Sequence, residues 1–246
     1  MQPVETTHAP TVIFRPAAER FHSRLDWLDS WHSFSFAGHH DPNWMGFGPL
    51  RVINDDTIAA GKGFGMHPHR DMEIITVMVD GELSHQDSIG HNAVIHAGEV
   101  QRMSAGIGIT HSEINRSTEP CRLLQIWIEP EKQGIPTAYE QKSFPIDCQW
   151  TPLIAPDSSR GAMRIARSTH LWRARPKQVS HLALPSTGGP LLWLQVISGT
   201  VNLNGGDAVP KRLQQGDGLG FHRMDAVIDG LSAADAEADV LLFALS

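Results

Sequence analysis

The stretch GMHPHRDMEI, residues 65–74, sets two histidines around a proline and a glutamate four residues after the second. If residues 67 to 79 run as one strand, side chains alternate between its faces, and His67, His69 and Glu73 point the same way. Pro68 has no N–H to donate, so it belongs at an edge or a bulge near the mouth of a barrel. Downstream, AGIGITHSEIN (105–115) carries His111 and Glu113, again two apart and on one face. Two such strands would aim three imidazoles and one carboxylate into a common interior. That donor set suits a divalent first-row ion such as Fe(II), Mn, Ni, Co or Cu, with two of six positions left open. No cysteine stands near these residues, which argues against a structural thiolate zinc site. Spacing alone leaves either Glu73 or Glu113 as the carboxylate.

Working outward, glycine and proline punctuate short runs rich in Val, Ile, Leu and Trp: RVIN, EIITVMV, AVIH, RLLQIWI, LLWLQVI and DVLLFAL. Their lengths suit strands, and Asp80-Gly81 signals a tight hairpin. Long helical periodicity is scarce, so the chain reads as all-β. Three landmarks then recur at one offset. Gly81 and Gly199, Gly98 and Gly216, and the starts of LLQIWI (Leu123) and LLFALS (Leu241) each stand 118 residues apart. One β-domain is therefore duplicated, with the joint near PIDCQWTPLIAPDSSR. The expected architecture is two tandem β-jelly-roll barrels of the cupin kind on a short linker, residues 1–144 and 145–246. The offset carries His67 to Pro185, His69 to Thr187, His111 to Asp229, Glu113 to Leu231 and Glu73 to Leu191, so the second barrel is expected to hold no metal. His170, His181 and His222 read as surface or packing residues. His85 has the parity to reach the first cavity, but with His91 and His96 it sits near hairpins and is read as solvated.

The chain has 246 residues and a formal charge of −7. Direct nucleic-acid binding, which needs a basic surplus, is not expected. Two cysteines, Cys121 and Cys148, make no disulfide framework and read as small buried hydrophobes. No basic-then-apolar leader and no membrane-length apolar run is present, so a cytoplasmic protein without membrane contact is expected. The polar tail MQPVETTHAP is the one segment expected to lack order.

In WHSFSFAGHHDPNWMGFGPLRVINDD, GFGMHPHRDMEIITVMVDGELSHQDS, AGEVQRMSAGIGITHSEIN and RLLQIWIEP the sequence resembles the pirin family of bicupins, more weakly in its second half. The general cupin motifs are also visible. Gly61, His67, His69 and Glu73 fit the first, with Gly81 one residue late. Gly98, Gly106, His111 and Asn115 fit the second, with Ser104 where many cupins have proline. General cupins use the glutamate at position 73 as a ligand; the pirin resemblance implies His67, His69, His111 and Glu113. Glu73 is then expected to steady an imidazole by accepting its other N–H. The resemblance further implies one divalent metal, Fe(II) first among Ni, Co, Mn, Cu and Zn. It implies a quercetin 2,3-dioxygenase acting on a flavonol and O₂, with Glu113 as general base. Met45, Phe47, Phe64 and Met66, with Trp44, are the expected apolar mouth, and His39 and His40 its rim. The alternative that the family implies is a non-enzymatic, redox-sensitive regulator of a transcription factor or metabolic enzyme.

Overall fold

The computed structural model describes residues 12–178, 180–206, 210–225 and 227–246. The polar tail MQPVETTHAP lies outside them. The chain is two barrels, each a seven-stranded sheet facing a four-stranded one. In the first barrel the large sheet runs Ala138–Ser143, Glu99–Ser104, Glu73–Asp80, Cys121–Ile128, Leu50–Ile58, Leu28–His32, Phe21–Arg24. Its small sheet runs Gly63–His69, Ile109–Ile114, Glu82–Asp87, Asn92–His96. The second barrel repeats both orders. Its large sheet runs Ile13–Arg15, Gly218–His222, Leu191–Ser198, Asp239–Leu245, His170–Ala174, Thr151–Ala155, Met163–Arg164, and its small sheet Leu182–Ala183, Gly230–Ala233, Thr200–Asn204, Arg212–Gln214. The place that Ala138–Ser143 fills beside Glu99–Ser104 is filled in the second barrel by Ile13–Arg15, from the start of the chain.

The central strands are apolar on both faces because both faces are covered. Along Cys121–Ile128, Leu124, Ile126 and Ile128 pack against Leu153, Trp193, Leu241 and Phe243 of the second barrel in one shared core. Leu123, Gln125 and Trp127, at the other parity, turn into the first barrel. The interior of the second barrel is a continuous apolar core that includes Trp172, Leu194, Leu203, Leu231 and Leu242.

The repeat differs from the sequence reading in one strand. Leu123 stands opposite Met78, but in the second barrel it is Val240, not Leu241, that stands opposite Val196. The last strand is therefore offset by 117, because the loop before it is one residue shorter. Matching LLQIWI to LLFALS letter for letter would turn every side chain to the wrong face.

One corner matters for the site. Residues 67 to 79 are not one strand. The chain leaves the small sheet at His69, turns through Asp71 in the left-handed region (φ 50°), and enters the large sheet at Glu73. The parity that grouped Glu73 with the histidines does not survive that turn.

Candidate functional site

His67 and His69 on Gly63–His69 stand beside His111 on Ile109–Ile114, with His111 directly opposite His67. A ring nitrogen from each lies within 4.8 Å of the others, and a second such group joins His85, His111 and Glu113. The strand pair carries a bulge: His111 faces His67, but Glu113 faces Phe64. The extra backbone curls so that the Gly65 carbonyl lies 2.7 Å from His67 Nδ1. A carbonyl only accepts, so Nδ1 carries the proton and Nε2 keeps its lone pair.

His111 is prepared differently. His85 Nε2 lies 3.3 Å from Asp87 Oδ2, and His85 Nδ1 lies 3.5 Å from His111 Nδ1. If His85 donates to the carboxylate, its other nitrogen accepts from His111, whose Nε2 is left bare. That Nε2 is buried with no hydrogen-bond partner. A buried acceptor without a partner costs free energy unless a ligand completes it. Burial first, and the neighbouring imidazoles second, hold His69 down to about 4 and His111 down to about 3. Both are neutral donors at physiological pH. The carboxylate of Glu113 is buried and receives Gln125 Nε2 at 3.1 and 2.9 Å on its two oxygens, with Thr76 Oγ1 3.4 Å from Oε1. Bare imidazole nitrogens and an oriented carboxylate on a rigid sheet suit a divalent cation.

His67, His69 and Glu113 open onto a cavity of about 420 Å³, with His111 buried behind them. Leu28, Phe36, Phe64 and Trp127 make its apolar walls, and Ser23, Ser30, His32, Asn54 and Asp56 line it from three neighbouring strands. No Lys or Arg is among the described lining residues, while Glu113 and Asp56 are. Such a lining offers apolar surface with a few hydrogen-bonding groups and no cationic side chain to pair with an anion.

Several sequence expectations are corrected. Glu73 is fully buried but does not reach an imidazole; Ser104 Oγ donates to it at 2.8 Å. Phe47 is not at the cavity but in the shared core, 5.5 Å from the Trp193 ring centroid. Met66 is exposed and outside the lining, and Met45 lines a neighbouring surface groove with His39 and His40. Trp44 packs at the edge of the shared core under Arg15. Phe64 alone of the four proposed pocket residues lines the cavity. His85, read as solvated, is wholly buried against His111. The sequence reading missed Gln125, Thr76, Asp87 and the polar residues of the cavity wall. Their signal was a polar residue inside an apolar run, as in LLQIWI and VINDD.

The second barrel has apolar residues at the matching positions. In register, Asn54, Thr76, His85, Glu113 and Gln125 correspond to Trp172, Leu194, Leu203, Leu231 and Leu242, all in its core.

Comparison with known proteins agrees with this architecture. The Pirin family profile matches residues 14–128, and the profile described as the quercetinase C-terminal cupin domain matches 153–245. A protein named quercetin 2,3-dioxygenase from Escherichia coli K12 is 43% identical over 235 residues, covering 95% of this chain and 98% of its own. The crystal structure of the bacterial pirin YhhW from E. coli in complex with nickel(II) has 42% identity and a TM-score of 0.87, covering 96% of this chain and 99% of its own. A quercetin 2,3-dioxygenase from Acinetobacter baumannii shares the fold at 21% identity, with a TM-score of 0.73 over 92% of this chain and 83% of its own. The chain belongs to the pirin family.

Proposed function

We propose that this protein is a metal-dependent flavonol dioxygenase that opens the central ring of quercetin or a close relative with O₂ and releases CO. The observation that carries the reading is the convergence of bare imidazole nitrogens and Glu113 beside one cavity walled by Leu28, Phe36, Phe64 and Trp127. Relatives named quercetin 2,3-dioxygenase and a nickel-bound pirin support it.

His67, His69, His111 and Glu113 would hold one divalent ion, Fe(II) first among Ni, Co, Mn, Cu and Zn. When bound, that ion acidifies the flavonol 3-hydroxyl and brings substrate and O₂ together. The chain does the rest. Glu113 takes the hydroxyl proton as general base, held in place by Gln125 and Thr76. Phe64, Leu28, Phe36 and Trp127 bind the aromatic plane and keep bulk water from it. Glu73 braces the corner after the donor strand and takes no proton from substrate. His85 and Asp87 set the orientation of His111.

The division into a metal-binding unit (1–144) and a metal-free unit (145–246), with Ile13–Arg15 lent to the second sheet, is part of this reading. So is a cytoplasmic setting, which suits the two free cysteines, Cys121 and Cys148. Among the described residues no helix is long and apolar enough to cross a membrane.

The test is stoichiometry. Metal-loaded protein should release one CO for each quercetin and each O₂ consumed. Oxidation of quercetin without CO would reject the ring-opening reading.

A further inference from the structure

The polar side of the cavity has no part in the steps above. Ser23 pairs with Ser30, Ser30 with Asp56, and His32 with Asn54 across three adjacent strands, and all five line the cavity. Their hydrogen bonds are nearly closed among themselves. Asn54 Oδ1 lies 2.8 Å from His32 Nδ1 and only accepts, so Nδ1 carries the ring proton. His32 Nε2 is then an acceptor and takes the Ser23 hydroxyl proton at 2.8 Å. Ser30 Oγ donates to Asp56 Oδ1 and lies 3.3 Å from His32 Nδ1. Two atoms are left over. Asn54 Nδ2 and Asp56 Oδ2 have no hydrogen-bond partner among the described residues, and neither is one of the partnerless atoms sealed inside the fold. What little surface these residues keep, 3% of each, belongs to the cavity they line.

The two loose ends are complementary. Asn54 Nδ2 donates and the Asp56 carboxylate accepts. Burial first, with Asp55 and Glu113 adding to it against the Ser30 hydrogen bond, raises Asp56 to about 7. Its free oxygen therefore offers an acceptor or an O–H, and a phenolic hydroxyl pairs with either. The pair also stands away from the reacting centre. Asn54 is opposite Gln125, which holds Glu113. Asp56 is opposite Leu123, two residues farther from Trp127, whose ring packs on His69. By strand spacing Asp56 is about 8 Å from Gln125. A flavonol whose 3-hydroxyl meets Glu113 would bring an outer ring to this wall. The barrel itself does not require the pair: the second barrel has Trp172 and Ala174 at the two positions, both within its apolar core.

We propose that Asn54 and Asp56 form a specificity subsite that holds a phenolic hydroxyl on an outer ring of the substrate, and so select polyhydroxylated flavonols over those with the 3-hydroxyl alone. The proposal rests on the flavonol reading and adds what that reading leaves open, the substitution of the ring far from the metal. His32, Ser30 and Ser23 orient the pair: His32 occupies the Asn54 oxygen so that its amide N–H groups face the cavity, and Ser30 fixes the other Asp56 oxygen. A buried donor and acceptor left unpaired cost free energy, so a ligand without the outer hydroxyl is held less well.

The test compares quercetin with 3-hydroxyflavone, which has no outer hydroxyl. Both are bound by equilibrium dialysis to the Fe(II)-loaded full chain under exclusion of O₂. We expect the wild type to prefer quercetin roughly 10- to 100-fold. Asn54→Ala and Asp56→Ala should each narrow that ratio by losing affinity for quercetin alone, with 3-hydroxyflavone affinity and metal content unchanged. A variant that weakens both ligands equally would make the residue a structural one and overturn the subsite. So would variants that keep the wild-type ratio. The wild-type comparison needs no variant to fold: a chain that holds both flavonols alike, or holds neither, overturns the subsite by itself. Failure of the flavonol reading shows differently, as a wild type that binds quercetin and leaves it unchanged when O₂ is admitted.

Discussion

Gln125 Nε2 sits between the two oxygens of Glu113, 3.1 Å from one and 2.9 Å from the other, inside a barrel whose duplicate has Leu242 at the same place. This amide orients the one carboxylate of the donor cluster. Gln125→Leu keeps the volume and removes the donor. Metal affinity is expected to fall about 10- to 100-fold with little loss of folded protein, measured by calorimetric titration. Unchanged affinity would mean that Glu113 is positioned by its strand alone.

Glu113 and Glu73 are both buried carboxyls, yet only Glu113 shares a donor cluster with imidazoles. Glu113→Gln should lower kcat about 100-fold or more. Glu73→Gln keeps a carbonyl oxygen for Ser104 and should retain metal and most activity. Burial already raises the pKa of Glu73, so a neutral side chain suits that site. The reverse order of losses would return the metal to Glu73.

Gly63 stands at φ +153° with its Cα against the Glu113 strand; a Cβ there would lie 2.2 Å from the Glu113 carbonyl oxygen and 2.6 Å from Ile114 Cα. Both contacts are backbone, so neither can swing away. Gly63→Ala should push the two donor strands apart, lowering stability by about 2 kcal/mol or more and weakening metal binding. Thermal melts with and without metal check it. A wild-type melting temperature and affinity in the variant would show that the strand pair yields freely.

The metal-free protein should show opposing pH effects. His69 and His111 titrate near 4 and 3 in the fold, against 6.5 when unfolded. Between those values the unfolded chain binds more protons, so stability falls as pH drops below 6.5. Asp56 works the other way. Its folded value near 7 lies above the ordinary 3.8, so its contribution is complete below 3.8 and lost as pH rises through 7. Asp56→Asn should therefore gain stability over wild type progressively from pH 4 to pH 8, read from urea midpoints. A constant difference across that range would place the Asp56 proton elsewhere.

Much of this was legible in the letters. Two-residue spacing found His67 with His69 and His111 with Glu113, because each pair lies within one strand where parity holds. The duplication was legible because turn glycines such as Gly81 and Gly199 mark matching corners. What parity could not carry was a change of sheet. Glu73 was grouped with the histidines across the Asp71 turn, which resets the faces. Leu123 was matched to Leu241 by letter, whereas the shorter loop makes Val240 its partner in register. His85 had the right parity but was judged by its nearness to a hairpin. The cavity wall was out of reach for another reason: Ser30, Asp56, His32 and Asn54 meet only through cross-strand pairing.

The most direct measurement is metal content and quercetin turnover on the same samples of wild type and His69→Ala, loaded with Fe(II) under exclusion of air and then exposed to O₂. One metal per chain with O₂-dependent loss of quercetin absorbance in the wild type, and neither in the variant, is the expected result. A variant that keeps its full metal and its turnover would contradict the site. A wild type that binds metal and leaves quercetin untouched would contradict the proposed reaction.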